Sequence, residues 1–407
     1  MKKLKIKFNK LIENTIELNS SKSESNRLLI IKALSKKKID INNISNANDT
    51  TILKSLLRNN SKKKWDAEDA GTTMRFLTSY LALLKEDVII TGTKRMKKRP
   101  IKILVEALNK IGAKIYYIDK IGYPPLKIQK KIDQKNNRIS IRGDISSQYI
   151  SSLLMIGPKL KNGLNIIIKK PFYSKPYVLM TLNLMKKFGI SSILKGNTLK
   201  INNQEYKDGT YTVESDWSAA SYWYAIVSIN NKIDRLKIKG LRKNSFQGDR
   251  ILAKMMISFG VDTEFFEDGI IIKKNHNLKT FQKIDFKNFP DLTQSILVIA
   301  AYHKIKLEIS GVESLKIKET DRLSAMKKEL KKIGCNFYNK NESWILEKRV
   351  NSFPKSVVIN TYKDHRMAMA FASISSEMEI YIADPSVVNK SYPNFWNDLV
   401  RVGYRTT

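Results

Sequence analysis

Ser20-Ser21-Lys22-Ser23-Glu24-Ser25-Asn26-Arg27 lies between a strand-like opening, Leu4 to Leu18, and the apolar run Leu28-Leu29-Ile30-Ile31. A group of hydroxyls just ahead of an apolar run marks the start of a helix, where the first backbone N–H groups lack intrahelical partners. Such an end carries roughly half a positive charge and attracts anions. Lys22 and Arg27 add two full charges within about a turn and a half of it. Alone, the stretch reads more simply as a Ser N-cap with solvated basic neighbours. Its repetition along the chain gives it weight.

Copies of a polar, Ser-, Thr- or Asp-rich opening to an apolar helix recur at Asp69–Arg75, Ser146-Ser147-Gln148, Asp216-Trp217-Ser218-Ala219-Ala220, Pro290-Asp291-Leu292-Thr293-Gln294 and Asp364-His365-Arg366-Met367. Most are about 70 to 75 residues apart, the first pair closer. Between them runs a second pattern, an amphipathic helix closed by Gly and followed by a strand. It stands at Ile103–Ile115 around Gly112, Leu182–Ile190 around Gly189, Leu252–Val261 around Gly260 and Met326–Cys335 around Gly334. A Gly at that place supplies the left-handed residue that ends a helix. Together the patterns predict a mixed α/β (α+β) fold of six βαβαββ-type units. After the helix predicted at Asp49–Leu57 the chain reaches Asp69-Ala70-Gly71 almost at once, so the first unit is truncated. Six helix starts gathered in one region would trap anions as no single start could.

A chain of 407 residues suggests two domains. No apolar run of about 18 residues or more appears, so no membrane span is expected. Met1-Lys2-Lys3-Leu4-Lys5 leads straight into alternating sequence without a signal-peptide core, and with the single Cys335 this suggests a reducing cytoplasm. His276, His303 and His365 lie far apart and suggest no metal cage. The net charge of +36 would suit nucleic acid or small anions, but its lysines are scattered through nearly every segment. Heavy joint use of Lys, Asn and Ile reads as compositional drift.

Taken in order, Ser21-Lys22-Ser23 with Asn26-Arg27, Ala70-Gly71-Thr72-Thr73-Met74-Arg75, Arg95-Met96 with Arg99-Pro100, Ser146-Ser147-Gln148, Ser174-Lys175-Pro176-Tyr177, Pro290-Asp291, Lys318-Glu319-Thr320-Asp321-Arg322, Asp364-His365-Arg366-Met367-Ala368-Met369 and Lys390 resemble the motifs of the 3-phosphoshikimate 1-carboxyvinyltransferase (EPSP synthase) family. Each is weak alone; the ordered set is specific. The resemblance covers about Ser20 to Pro393. It implies a two-domain inside-out barrel, three units per domain: residues 1–19 with 214–407, and an inserted domain, 20–213. It further implies an active site in the cleft between the domains, closing on binding.

The family reaction moves the carboxyvinyl group of phosphoenolpyruvate to the 5-hydroxyl of 3-phosphoshikimate and releases phosphate. The resemblance implies that 3-phosphoshikimate is held by Lys22, Ser23, Arg27, Ser146, Ser147, Gln148, Ser174, Asp291, Ser314 and Lys318. Phosphoenolpyruvate would be held by Lys22, Gly71, Arg99, Gln148, Arg322, Arg366 and Lys390. Both substrates together carry a charge of about −5 to −6. Lys22, Arg27, Arg99, Lys318, Arg322, Arg366 and Lys390 roughly match it. Asp291 is the expected base for the hydroxyl, with Glu319 and Lys22 both candidates for the proton donor. Without the resemblance, Arg322 would read as the partner of Asp321 on a helix face, and Asp291 as an N-cap. No cofactor or metal is implied, and a monomer is expected.

The nearest alternative is the sister transferase acting on UDP-N-acetylglucosamine, which looks for Lys-Asn near the start and a reactive loop Cys. Here Ser23 follows Lys22, and Cys335 follows a helix-closing Gly, as a buried inert thiol would. A basic nucleic-acid-binding protein is the alternative from another class, and no aromatic-basic motif supports it.

Overall fold

Alternation explains the sheets. In Arg138–Arg142 the isoleucines Ile139 and Ile141 are buried, while Arg138, Ser140 and Arg142, which alternate with them, face outward. The computed structural model describes residues 3–58, 62–129, 131–347 and 352–407. It divides into two compact units, Met1–Ser20 with Glu214–Thr407, and Ser21–Val213.

Among its described residues the Ser21–Val213 unit holds six α-helices: α1 (Lys22–Leu34), α2 (Asn48–Arg58), α3 (Gly71–Leu81), α4 (Lys102–Ile111), α5 (Ser147–Ile156) and α6 (Lys175–Lys187). α1, α3 and α5 pack on one another inside the unit. Every residue of α3 is buried, and its polar side chains find partners inside, as Thr73 and Thr78 do on backbone carbonyls. One four-stranded sheet runs Lys64–Asp66, Val88–Thr91, Leu126–Gln129, Lys114–Tyr117; a second runs Arg138–Arg142, Leu164–Lys169, Thr198–Ile201, Ser192–Lys195. In both, the first pair is parallel and the other two antiparallel. The third sheet is only a parallel pair, Gly209–Thr212 with Ile39–Asn42. That pair is the truncated unit.

The second unit repeats the plan with α7 (Trp217–Ile229), α8 (Leu252–Met255), α9 (Thr293–Tyr302), α10 (Arg322–Lys332), α11 (His365–Ala372) and α12 (Phe395–Val402). α7, α9 and α11 pack together, again almost wholly buried. Trp217 and Trp223 of α7 are fully buried, each worth at least the ~1.5–3 kcal/mol of a large apolar side chain. Its three four-stranded sheets keep the same parallel–antiparallel–antiparallel order. Lys3–Phe8 supplies a strand of the last of them, pairing with Glu379–Ala383 and Tyr404–Thr406. Helices within and sheets without make an inside-out barrel in each unit.

Gly112, Gly189 and Gly334 have positive φ just past α4, α6 and α10, as expected. The third expected helix is shorter. After α8 the chain passes through a 3₁₀ turn, Met256–Ser258, and Gly260 already lies in the strand Phe259–Phe266. Ser258 donates its hydroxyl to the Met255 carbonyl at 3.1 Å, a local bond that competes with helix continuation. Among the described residues no helix is long and apolar enough to cross a membrane.

Candidate active site

Side-chain bonds tie helix starts together in the Ser21–Val213 unit. Ser21 caps α1 by accepting from the Glu24 N–H, and Ser146 caps α5 by accepting from the Gln148 N–H at 3.3 Å. Lys22, first in α1, meets Asp49 at the start of α2 at 3.3 Å, and Thr73 of α3 donates to the Asp49 carbonyl. Gln148 donates to Thr72 at 3.0 Å, linking α5 to α3. The dipoles of these helix ends therefore add.

Arg99 lies across the start of α3. A Cβ built on Gly71 would stand 2.3 Å from an Arg99 terminal nitrogen, so only glycine admits the guanidinium there. Arg75 fixes both sides of this contact, donating to the Gly71 carbonyl at 3.1 Å and the Pro100 carbonyl at 3.0 Å. Arg99 Nε is buried without a hydrogen-bond partner. A cation over a helix start with an unsatisfied donor is a ready anion site.

Arg27 lies deep among the helices. It is 2% exposed, and its guanidinium donates to Thr181 at 2.7 Å, the Ser23 carbonyl at 2.8 Å, Ser151 and the Tyr177 carbonyl. Burial lowers its pKa to about 10. These bonds make it a brace between α1, α5 and α6. Ser147 and Ser174 are buried, Ser174 at positive φ ahead of α6, while Ser23 and Ser146 are half-buried.

In the other unit three helix starts and the body of α7 meet through two arginines. Arg322, first in α10, gives Nε to Asp364 at 2.8 Å, one terminal nitrogen to Asp291 at 3.1 Å and the other to Glu319 at 2.9 Å. Arg366 of α11 reaches the second Asp291 oxygen at 2.8 Å, and also the Asp291 carbonyl and the Tyr222 hydroxyl of α7. Lys390 stands 3.7 Å from Glu319. Asp321 is not the partner of Arg322: it caps α10, accepting from Leu323 and Ser324. Asp291 stands in a 3₁₀ turn, Pro290–Leu292, and its carboxylate faces the arginines instead of capping α9. Ser314 is buried in a neighbouring 3₁₀ turn, Glu313–Ile317.

Charges set the protonation states. Burial works to raise the Asp291 pKa, yet Arg366, Lys318 and Arg322 hold it well below the usual carboxylate range. Arg322 is itself held more firmly protonated: burial opposes this, but Asp364, Glu319 and Asp291 outweigh it. Burial lowers Lys318, with Asp291 opposing. Sequence reasoning missed Asp364 as the clamp on Arg322, and it missed Asp249. Asp249 accepts a very short bond from Ser218 in the first turn of α7. Burial and the Asp291 charge push it up to about 7. Gln247-Gly248-Asp249 shows only as a polar stretch before an amphipathic segment, with no spacing to single it out.

A carboxyl raised above its unfolded value stabilises below that value and loses the contribution as pH rises through the folded one. Between about pH 4 and pH 7 the Asp249→Asn variant should therefore gain stability relative to wild type. Urea midpoints measured at both ends check this, and parallel changes would contradict it.

The clusters are studded with helix starts and cations, and one of them holds a carboxylate, Asp291, poised between two arginines. They suit phosphorylated acids and proton transfer. The model of a family described as EPSP synthase (3-phosphoshikimate 1-carboxyvinyltransferase) matches residues 52–399. A 3-phosphoshikimate 1-carboxyvinyltransferase of Bacteroides fragilis is 45% identical over 399 residues, covering 97% of this chain and 96% of the relative. That of Buchnera aphidicola subsp. Cinara cedri is 37% identical, covering 96% and 95%. A solved EPSP synthase of Acinetobacter baumannii superposes with a TM-score of 0.80 at 20% identity, covering both chains completely.

Proposed function

The chain belongs to the EPSP synthase family, and from that premise we propose how its residues divide the work. It transfers the carboxyvinyl group of phosphoenolpyruvate to the 5-hydroxyl of 3-phosphoshikimate, giving 5-enolpyruvylshikimate 3-phosphate and phosphate by addition and elimination. The observation that carries the assignment of roles is Asp291, a carboxylate gripped by Arg322 and Arg366.

In the free protein this grip makes Asp291 a weak base. An anionic substrate taking up the charge of the guanidiniums raises the carboxylate's proton affinity at the moment a hydroxyl must be deprotonated. Glu319, on the same Arg322 as Asp291, gives a proton to the methylene carbon in the addition and takes one back from the resulting methyl group as phosphate leaves. Lys22, paired with Asp49, supplies charge for the departing phosphate. Arg99, over Gly71, with Arg366, Lys390 and Gln148, binds phosphoenolpyruvate. Arg322 joins them by exchanging one of its own carboxylates for the substrate. Ser23, Arg27, Ser146, Ser147, Ser174, Ser314 and Lys318 hold 3-phosphoshikimate, and Arg27 also braces α1, α5 and α6. The enzyme works as a cytoplasmic monomer on these two small anions.

A coupled phosphate-release assay tests the reading: release should require both substrates together. Release from phosphoenolpyruvate alone, or none, would reject it. In the same assay Gly71→Ala should displace the Arg99 guanidinium and raise the KM for phosphoenolpyruvate ~10- to 100-fold, the worth of a charge-assisted bond. An unchanged KM would remove Arg99 from that site.

A further inference from the structure

We propose that Glu329 and Tyr362 are positioning residues for the Arg322–Asp364–Arg366 cluster, an inference that rests on the phosphoenolpyruvate role given to that cluster above. Glu329 lies on α10 seven residues after Arg322, two turns along the same helix, and is fully buried. One of its oxygens accepts from the Tyr362 hydroxyl at 2.6 Å. The other accepts from the Asn360 N–H at 3.0 Å and from Lys332 at 2.6 Å. Lys332 donates in turn to the Val358 carbonyl at 2.9 Å. These bonds fasten α10 to the strand Ser356–Asn360 and to the turn that follows it.

That turn is held in an uncommon conformation. Tyr362 and Lys363 have φ of 52° and 57°, and the Asp364 N–H closes the turn on the Thr361 carbonyl at 2.8 Å. Two central residues at positive φ distinguish a type I′ turn, where Gly, Asn or Asp normally stand. Bulky residues persist there only where their surroundings impose it. The Tyr362–Glu329 bond is an anchor of that kind, set on the first strained residue. Straight after the turn comes Asp364, which caps α11 and grips Arg322; two residues later Arg366 reaches Asp291. The chain of contacts closes on itself: α10 carries Arg322 at its start and, two turns on, the group fixing the turn that delivers the partner of Arg322. Relaxing the turn would shift Asp364, and with it both guanidiniums.

Steady-state kinetics on the full chain test this with Tyr362→Phe, Glu329→Gln and the double variant, each also unfolded in urea. Each single change should raise the KM for phosphoenolpyruvate ~3- to 10-fold, the worth of one hydrogen bond, and leave that for 3-phosphoshikimate within about twofold. The double variant should be no worse than the more affected single one, because both changes cut the same link. Should Glu329→Gln fail to fold, Tyr362→Phe, which removes one hydroxyl, still decides. Unchanged KM values with lowered stability, equal rises for both substrates, or independent effects in the double variant would overturn the proposal. A wild type without turnover would instead overturn the assigned reaction, and this inference with it.

Discussion

Replacing Asp291 by alanine lowers kcat by ~10²–10⁴-fold, the usual contribution of a positioned base. The loss has two sources. The proton of the attacking hydroxyl has no acceptor, and Arg322 and Arg366, which share this carboxylate at 3.1 and 2.8 Å, are left facing each other. The second effect would tighten binding of an anion in the vacated place, so KM for phosphoenolpyruvate should not rise with the fall in kcat. Asp291→Asn, which keeps the shape and one acceptor, should be nearly as slow. Full activity in either variant would place the base elsewhere.

The largest effect on stability should come from Arg322→Ala. The guanidinium is 2% exposed and holds Asp364, which is fully buried, together with Glu319 and Asp291. Removing one partner from a buried ionic group strands the others, at a cost of ~3–5 kcal/mol. Arg322→Lys keeps the charge but not the three-way fork, and should recover only part of it. Urea unfolding measures the loss, which should narrow in acid, where carboxylates become neutral. A loss under about 1 kcal/mol would mean that the cluster is open to water, as exposed ion pairs are.

The repeated plan was legible because it is periodic. Helices closed by Gly112, Gly189 and Gly334, and apolar helices behind polar openings, are local signals that packing reinforces. The gap before Asp69 likewise foretold the two-stranded sheet formed by Ile39–Asn42 and Gly209–Thr212. α8 was misjudged because periodicity does not register a serine hydroxyl bonding its own backbone. For the site, residue types and order carried the resemblance, but pairings did not show. Arg322 and Asp364 are 42 residues apart, and nothing local separates a clamp from a cap. The four internal bonds by which Arg27 braces α1, α5 and α6 likewise leave no mark in the sequence.

The most direct test is phosphorus-31 NMR of the chain mixed with equal amounts of phosphoenolpyruvate and 3-phosphoshikimate. The phosphoenolpyruvate resonance should give way to inorganic phosphate, one for each new enol ether formed, while the shikimate phosphate stays esterified. Persistence of the phosphoenolpyruvate signal, or phosphate drawn from the shikimate ester, would contradict the assigned reaction.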